Sequence, residues 1–161
     1  MAVYASNPKA GFDYQIIETF EAGLELTGQE VKSIKNGKVS IKGAYVKIIS
    51  REAWLLGAIV SPYQANNVLA DYDQQKNRKL LLKKSELAYL QTKTQEQGLA
   101  LVPLKIYNKN NLIKLEIGLA RGKKKYDKRE SIKKREFERR LAQTFKNLRL
   151  NLFYIFINMI L

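Results

Sequence analysis

Between Leu112 and Leu119 the chain alternates without a break. Ile113, Leu115, Ile117 and Leu119 fall on one side of an extended backbone, and Lys114, Glu116 and Gly118 on the other. Such alternation describes a strand with one buried face and one wet face. It commits the chain to a sheet covering a core. Upstream, Ala100 to Tyr107 is a second apolar run, and Asn108-Lys-Asn-Asn111 between the two has hairpin composition. Tyr45 to Ile49 and Ala53 to Val60 repeat the arrangement around Ser50-Arg-Glu52. Tyr14 to Glu18 and Phe20 to Leu26 are also β-prone, with a bend or bulge expected at Glu21-Ala-Gly23. Leu80-Leu-Leu82 reads as a buried strand bracketed by cations, and Trp54 as a core residue of its own strand.

Helical signals are fewer. Thr27-Gly-Gln-Glu30 has capping-box spacing ahead of a short helix through Val31 to Lys35, stopped by Asn36-Gly37. Ser85 is the expected cap of a helix from Glu86 to Glu96, ended by Gly98. From near Asp127 past Phe145, Ile132, Phe137, Leu141, Phe145, Leu148 and Leu152 recur mostly three or four apart, the stripe of an amphipathic helix. The expected fold is therefore mainly β: an oligonucleotide-binding-type antiparallel barrel with two short flanking helices and a basic helical C-terminal tail. Composition shifts at Arg121, which divides the chain into a barrel domain over residues 1–122 and a tail over 123–161.

Charge narrows the function. Lys and Arg number 29 against 15 Asp and Glu, a net charge of +14 over 161 residues. That excess points to a polyanion, nucleic acid before an anionic membrane. The run Arg121-Gly-Lys-Lys-Lys-Tyr-Asp-Lys-Arg129 concentrates cations around a tyrosine able to stack on a base. Further basic clusters lie at Lys32-Ser-Ile-Lys-Asn-Gly-Lys38 and Asn77-Arg-Lys-Leu-Leu-Leu-Lys-Lys84. The first also suits the C-terminal end of a helix dipole. Neither Cys nor His is present, which excludes thiolate chemistry, Cys/His zinc sites and His-based triads. No phosphate-binding loop and no carboxylate cluster of two-metal type stands out. A non-enzymatic protein without metal or cofactor is expected. The apolar end, Leu148 to Leu161, is shorter than the roughly 20 residues that span a bilayer, and no signal peptide is recognisable, so a cytoplasmic protein is expected.

Several long motifs resemble one family. Phe20-Glu-Ala-Gly-Leu-Glu-Leu-Thr-Gly-Gln-Glu-Val-Lys-Ser-Ile-Lys-Asn-Gly-Lys38 is similar to the N-terminal signature of the SsrA-binding proteins (small protein B). Ile59-Val-Ser-Pro-Tyr63, Arg78-Lys-Leu-Leu-Leu-Lys83, Leu101-Val-Pro-Leu-Lys-Ile-Tyr107 and Lys114-Leu-Glu-Ile-Gly-Leu-Ala-Arg-Gly-Lys-Lys-Lys-Tyr-Asp-Lys-Arg129 follow in the family's order. The resemblance covers roughly Asn7 to Ala142. It implies a barrel that binds the tRNA-like domain of transfer-messenger RNA and delivers it to stalled 70S ribosomes, the route of peptide tagging and ribosome rescue. It also implies a tail that folds in the empty mRNA channel. Elongation factor Tu would be reached through the RNA; the protein would be monomeric and make no stable membrane association. The alternative is a generic oligonucleotide-binding barrel acting on single strands or ribosomal RNA.

The candidate RNA-binding residues are Asn7, Lys9, Glu21, Lys32, Lys35, Arg78, Lys79, Lys123 and Lys124. Glu21 rests on the resemblance alone; a carboxylate accepts from base amines or a ribose hydroxyl, or orients a neighbouring cation. The candidate ribosome-facing residues are Tyr126, Asp127, Lys128, Arg129, Lys133, Lys134, Arg135 and Phe137. The sequence departs from the family at Pro8, which replaces a basic residue and removes a cation and an N–H. It departs again in the apolar end from Asn151 to Leu161, to which no role is assigned.

Overall fold

The computed structural model describes residues 2–64, 72–96, 98–124 and 136–144, apart from 138 and 142. The chain forms two units, Met1–Gly122 and Lys123–Leu161. In the first, the elements run β1 (Val3–Ser6), α1 (Pro8–Asp13), β2 (Tyr14–Leu24), α2 (Gly28–Lys35), β3 (Val39–Ser40), β4 (Tyr45–Ile49) and β5 (Glu52–Leu56). They continue with β6 (Ile59–Val60), β7 (Arg78–Leu81), α3 (Lys84–Gln95), β8 (Leu99–Lys109) and β9 (Leu112–Gly122).

The main sheet has the order β1-β8-β4-β5-β7-β2-β9, and a further β8–β9 pairing closes it into a barrel. Closure pairs the edges of the six strands from β8 to β9, and β1 remains an edge strand on β8. β3 and β6 form a separate two-stranded ribbon. The β9 alternation does what its pattern predicts: Leu115 and Ile117 are fully buried and Leu119 almost so. They pack with Ala22, Ile34, Val46, Leu55, Leu80, Leu90, Leu101 and Ile106 in one core. Each such aliphatic side chain contributes roughly 1.5–3 kcal/mol on burial.

Both sequence hairpins form with tighter turns than expected, and the strands of the second, β8 and β9, are longer. Ser50 and Arg51 turn with φ of 50° and 62°, and Asn110 and Asn111 with 51° and 63°. Paired left-handed residues mark the two-residue turn that matches strand twist. Asparagines suit it; Ser50-Arg51 adopts it against a cost of roughly 1–2 kcal/mol per residue.

Several expectations are corrected. β2 runs unbroken through Glu21-Ala22-Gly23, and the bulge lies earlier, between Ile16 and Glu18. The expected strand from Ala53 to Val60 divides at Gly57, whose φ of 71° turns the chain so that β6 leaves the barrel and pairs with β3. Of Leu80, Leu81 and Leu82 only Leu80 is buried; Leu81 is 55% exposed. Ser85 lies inside the first turn of α3, and the Glu86 carboxylate instead accepts from the Lys83 backbone N–H at 3.1 Å. Trp54 is only partly buried, on the opposite side of β5 from the core residues Ala53 and Leu55.

Three helices flank the barrel where two were expected. The extra one, α1, opens with Pro8 at its first positions, where a missing N–H costs nothing. It packs on β2 and β8 beside Gly118, which the alternation assigned to water. Ala10, Val102 and Ala120 are buried there with Tyr14, Ile16 and Leu104. Gly118 admits this layer because a Cβ would stand 3.2 Å from Ile16 Cδ1 and 3.3 Å from Leu104.

In the second unit the described residues from Glu136 to Thr144 are helical. Phe137 and Leu141, one turn apart, are 63% and 42% exposed. The candidate residues Tyr126, Asp127, Lys128, Arg129, Lys133, Lys134 and Arg135 lie outside the described residues, as does the apolar end.

Candidate nucleic-acid interface

The first basic surface is built on α2. Thr27 begins the helix: its N–H donates to Glu30 Oε2 at 2.8 Å, and Glu30 N–H donates to Thr27 Oγ1 at 3.3 Å. This reciprocal cap sets where the helix starts, and hence which face carries Lys32 and Lys35. Ser33 is fully buried and donates to the Ser61 carbonyl, tying the helix to the segment after β6. Lys38 Nζ donates to the Tyr63 carbonyl at 3.1 Å, and Lys32 Nζ lies 5.7 Å from the centre of the Tyr63 ring. Lys32, Lys35 and Lys38 thus share one end of α2, with Tyr63 beside them. Cations presented together on a fixed backbone are the physical requirement for a phosphate-tracking surface.

Beneath α2 lies the largest departure from expectation. Arg78 does not face solvent: it is 2% exposed and pairs with Glu30, itself 3% exposed, through Nε–Oε1 at 2.8 Å. Its Nη1 donates to the carbonyls of Ala58 at 2.9 Å and Lys76 at 2.8 Å, and its Nη2 to that of Gln74 at 3.2 Å. Four of the five N–H groups of this guanidinium are engaged within the protein, and at 2% exposure it offers RNA almost no surface. Its work is to hold α2, β7 and the segment before β7 together. Burial pushes the Glu30 carboxyl up, yet the Thr27 bonds and the Arg78 charge outweigh it and hold the group below its ordinary range. Lys79 alternates outward, as expected of a surface cation, and is ion-paired with Glu52, which pushes its ammonium up.

A second surface lies across β2, β9 and β8. Glu21, Glu116 and Lys105 stand opposite one another in that order, and Ser6 of β1 extends the row. Two carboxylates side by side on a sheet repel, and lysines compensate. Lys109 Nζ is 2.8 Å and Lys114 Nζ 3.9 Å from Glu21, and Lys105 Nζ is 2.9 Å from Glu116. Tyr107 donates its hydroxyl to Glu21 while its ring lies 5.4 Å from Lys105 Nζ. The bonds from Lys109 and Tyr107 hold the Glu21 carboxyl low. Burial, then the bond to Glu21, pushes the Tyr107 phenol up to about 12. Three lysines against two carboxylates leave 3 − 2 = +1. Glu21 fixes where Lys109 and Lys114 stand, and Glu116 fixes Lys105.

Asn7 continues this surface. Pro103 offers no N–H, and β8 needs none there, because β4 pairs at Leu101 and β1 only from Lys105. Asn7 fills the gap: its N–H donates to the Leu104 carbonyl at 2.8 Å and its Nδ2 to the Pro103 carbonyl at 3.2 Å. Lys9 follows, exposed on α1, and Lys123 and Lys124 follow β9. The structure therefore brings Asn7 and Glu21 to one sheet surface and places Lys32 and Lys35 on α2. Sequence reasoning missed Lys38, Tyr63, Lys105, Tyr107, Lys109 and Lys114. The signal for three of them was parity: 105, 107 and 109 alternate outward beside a strand already assigned. Among the described residues no group of three or more His, Cys, Asp or Glu could hold a metal ion. None of their helices is long and apolar enough to cross a membrane.

The SmpB protein family matches residues 4–147. An SsrA-binding protein of Chlorobaculum tepidum is 49% identical over 142 residues, covering 88% of this chain and 90% of that protein. An SsrA-binding protein of Ligilactobacillus salivarius is 45% identical over 143 residues, covering 89% and 92%. A solved structure described as "tmRNA-SmpB: a journey to the center of the bacterial ribosome" superimposes with a TM-score of 0.62 at 42% identity. The match covers 79% of this chain and 92% of that one.

Proposed function

The chain belongs to the SmpB family, and from that premise we propose that it binds the tRNA-like domain of transfer-messenger RNA and delivers it to stalled ribosomes. The observation that carries this reading is the 42% identity, over 79% of this chain and 92% of the other, to a chain from the structure described as tmRNA-SmpB in the bacterial ribosome. The net charge of +14 supplies the long-range attraction that such an RNA requires. In this reading the protein works in the cytoplasm and performs no chemistry; it positions RNA.

The barrel supplies two contact surfaces. Lys32 and Lys35 on α2 track phosphates, with Lys38 beside them. Asn7, Lys9 and the Glu21 cluster form the other surface, on which Glu21 aims Lys109 and Lys114 rather than meeting phosphate itself. Lys79, Lys123 and Lys124 add charge at the border. The tail from Tyr126 to about Lys146 acts separately, on the ribosome. Each lost phosphate contact removes about 0.7–0.9 from the slope of log K against log salt. The Lys32→Ala/Lys35→Ala variant should therefore bind the tRNA-like domain more weakly, with a slope reduced by about 1.4–1.8, in filter binding across a salt series. An unchanged slope would remove α2 from the interface.

A further inference from the structure

Trp54 faces outward from β5, and both of its cross-strand partners are lysines, Lys47 on β4 and Lys79 on β7. Directly opposed side chains stand roughly 4.5–5.5 Å apart at Cβ. The indole thus stands in a cross-strand row between two lysine side chains. Beside it opens a cleft of about 260 Å³ lined by Trp54, Lys76, Asn77, Lys79, Glu25 and Thr27, with the Glu30–Arg78 pair also in its wall. Drug-sized sites run from roughly 300 to 1,000 Å³, so this cleft suits one planar ring system. Its wall is held by a buried ion pair and a helix cap, so it exists before any ligand arrives. Lys79 is committed to Glu52, whereas Lys47 and Lys76 make no ion pair with a described residue.

We propose that this cleft takes one unpaired nucleotide of RNA, its base stacked on Trp54 and its flanking phosphates on Lys47 and Lys76. The inference rests on the RNA-binding reading above and assigns it an additional subsite. An indole face accepts any base, and cations on either side follow the backbone. Glu25 and Asn77 supply the selectivity. A carboxylate accepts from an exocyclic amine, and a side-chain amide both donates and accepts, the pairing that suits adenine. Uracil carries no exocyclic amine and stacks over a smaller area, so the site prefers adenine.

Trp54 is the chain's one tryptophan, so its fluorescence reports on this cleft alone. The full chain is titrated with pentaadenylate, with pentauridylate and with the tRNA-like domain, while filter binding follows the last independently. Pentaadenylate should quench the emission at concentrations roughly tenfold below those that pentauridylate requires. Labelled pentaadenylate should bind Trp54→Phe nearly as wild type and Trp54→Leu roughly tenfold more weakly, with both variants melting as wild type. Quenching by the tRNA-like domain would assign the nucleotide to that RNA. An unquenched complex that pentaadenylate then quenches would assign it to another strand, such as ribosomal RNA.

Equal quenching by the two oligonucleotides would overturn the base reading by Glu25 and Asn77. No quenching by any RNA, or an unchanged affinity in Trp54→Leu, would overturn the site and leave a cross-strand surface ladder. Tight filter binding of the tRNA-like domain would then show that the proposed function survives. Failure of that binding would count against the function, with pentaadenylate still deciding the cleft.

Discussion

Replacing Arg78 by alanine is expected to lower the unfolding free energy by about 3–5 kcal/mol, the cost of stranding one partner of a buried ion pair. Glu30 would keep its place, 3% exposed, because Thr27 still caps α2 through it. Its carboxylate would lose its one ion-pair partner among the described residues, and the carbonyls of Ala58, Lys76 and Gln74 would each lose a donor. Urea unfolding followed by circular dichroism measures the loss. A double-mutant cycle with Glu30→Gln should return a coupling of roughly 2–3 kcal/mol. Acid provides a second check. The Glu30 carboxyl is lowered in the folded chain from an ordinary value of 4.5. Its contribution is therefore complete above that ordinary value and is lost as pH falls through the lower, folded one. Wild type and Arg78→Ala should converge in stability in that acid range and stand furthest apart near neutrality. A surface arginine on phosphate would behave otherwise: the variant would fold normally and lose only salt-dependent affinity.

A chain ending at Lys125 is expected to fold, to bind the tRNA-like domain within about threefold of the full chain, under 1 kcal/mol, and to give no peptide tagging on stalled ribosomes. Among the described residues, the core that stabilises the barrel is drawn from Tyr4 to Leu119. The tail has a different character. In its described helix Phe137 and Leu141 present apolar surface to solvent beside Arg139 and Arg140. A short helix with its apolar face uncovered is marginal in water, since nucleation is costly and packing supplies most helical stability. A groove walled by ribosomal RNA offers phosphates for the tail's cations and flat faces for Phe137 and Tyr126. Asp127 is suited to cap the helix there. Loss of RNA binding on truncation would merge the tail with the RNA surface. Normal tagging by the truncated chain would end its ribosomal role.

Legibility in the sequence followed the range of the forces involved. Local signals read true: the β9 alternation, the two hairpins, and the Thr27–Glu30 cap with its stop at Gly37 all depend on neighbours a few residues away. Features set by distant partners did not. Arg78 sits among Lys79, Lys83 and Lys84 and reads as one more surface cation. Only the fold brings Glu30 to it across 48 positions. Trp54 reads as core because aromatic residues usually are, yet strand parity places it opposite Ala53 and Leu55. Helix α1 was hidden by brevity and by Pro8, which resembles a breaker until it falls at the first turn. The Glu21 cluster depends on Tyr107 and Lys109, 86 and 88 positions away, and no local pattern links them.

We propose that this basic barrel selects one RNA. Sequencing the RNA that co-purifies with the full-length protein, alongside the Lys32→Ala/Lys35→Ala variant, tests it most directly. Transfer-messenger RNA should dominate the wild-type sample and fall sharply in the variant. A mixture of cellular RNAs in proportion to their abundance, the same in both samples, would contradict it.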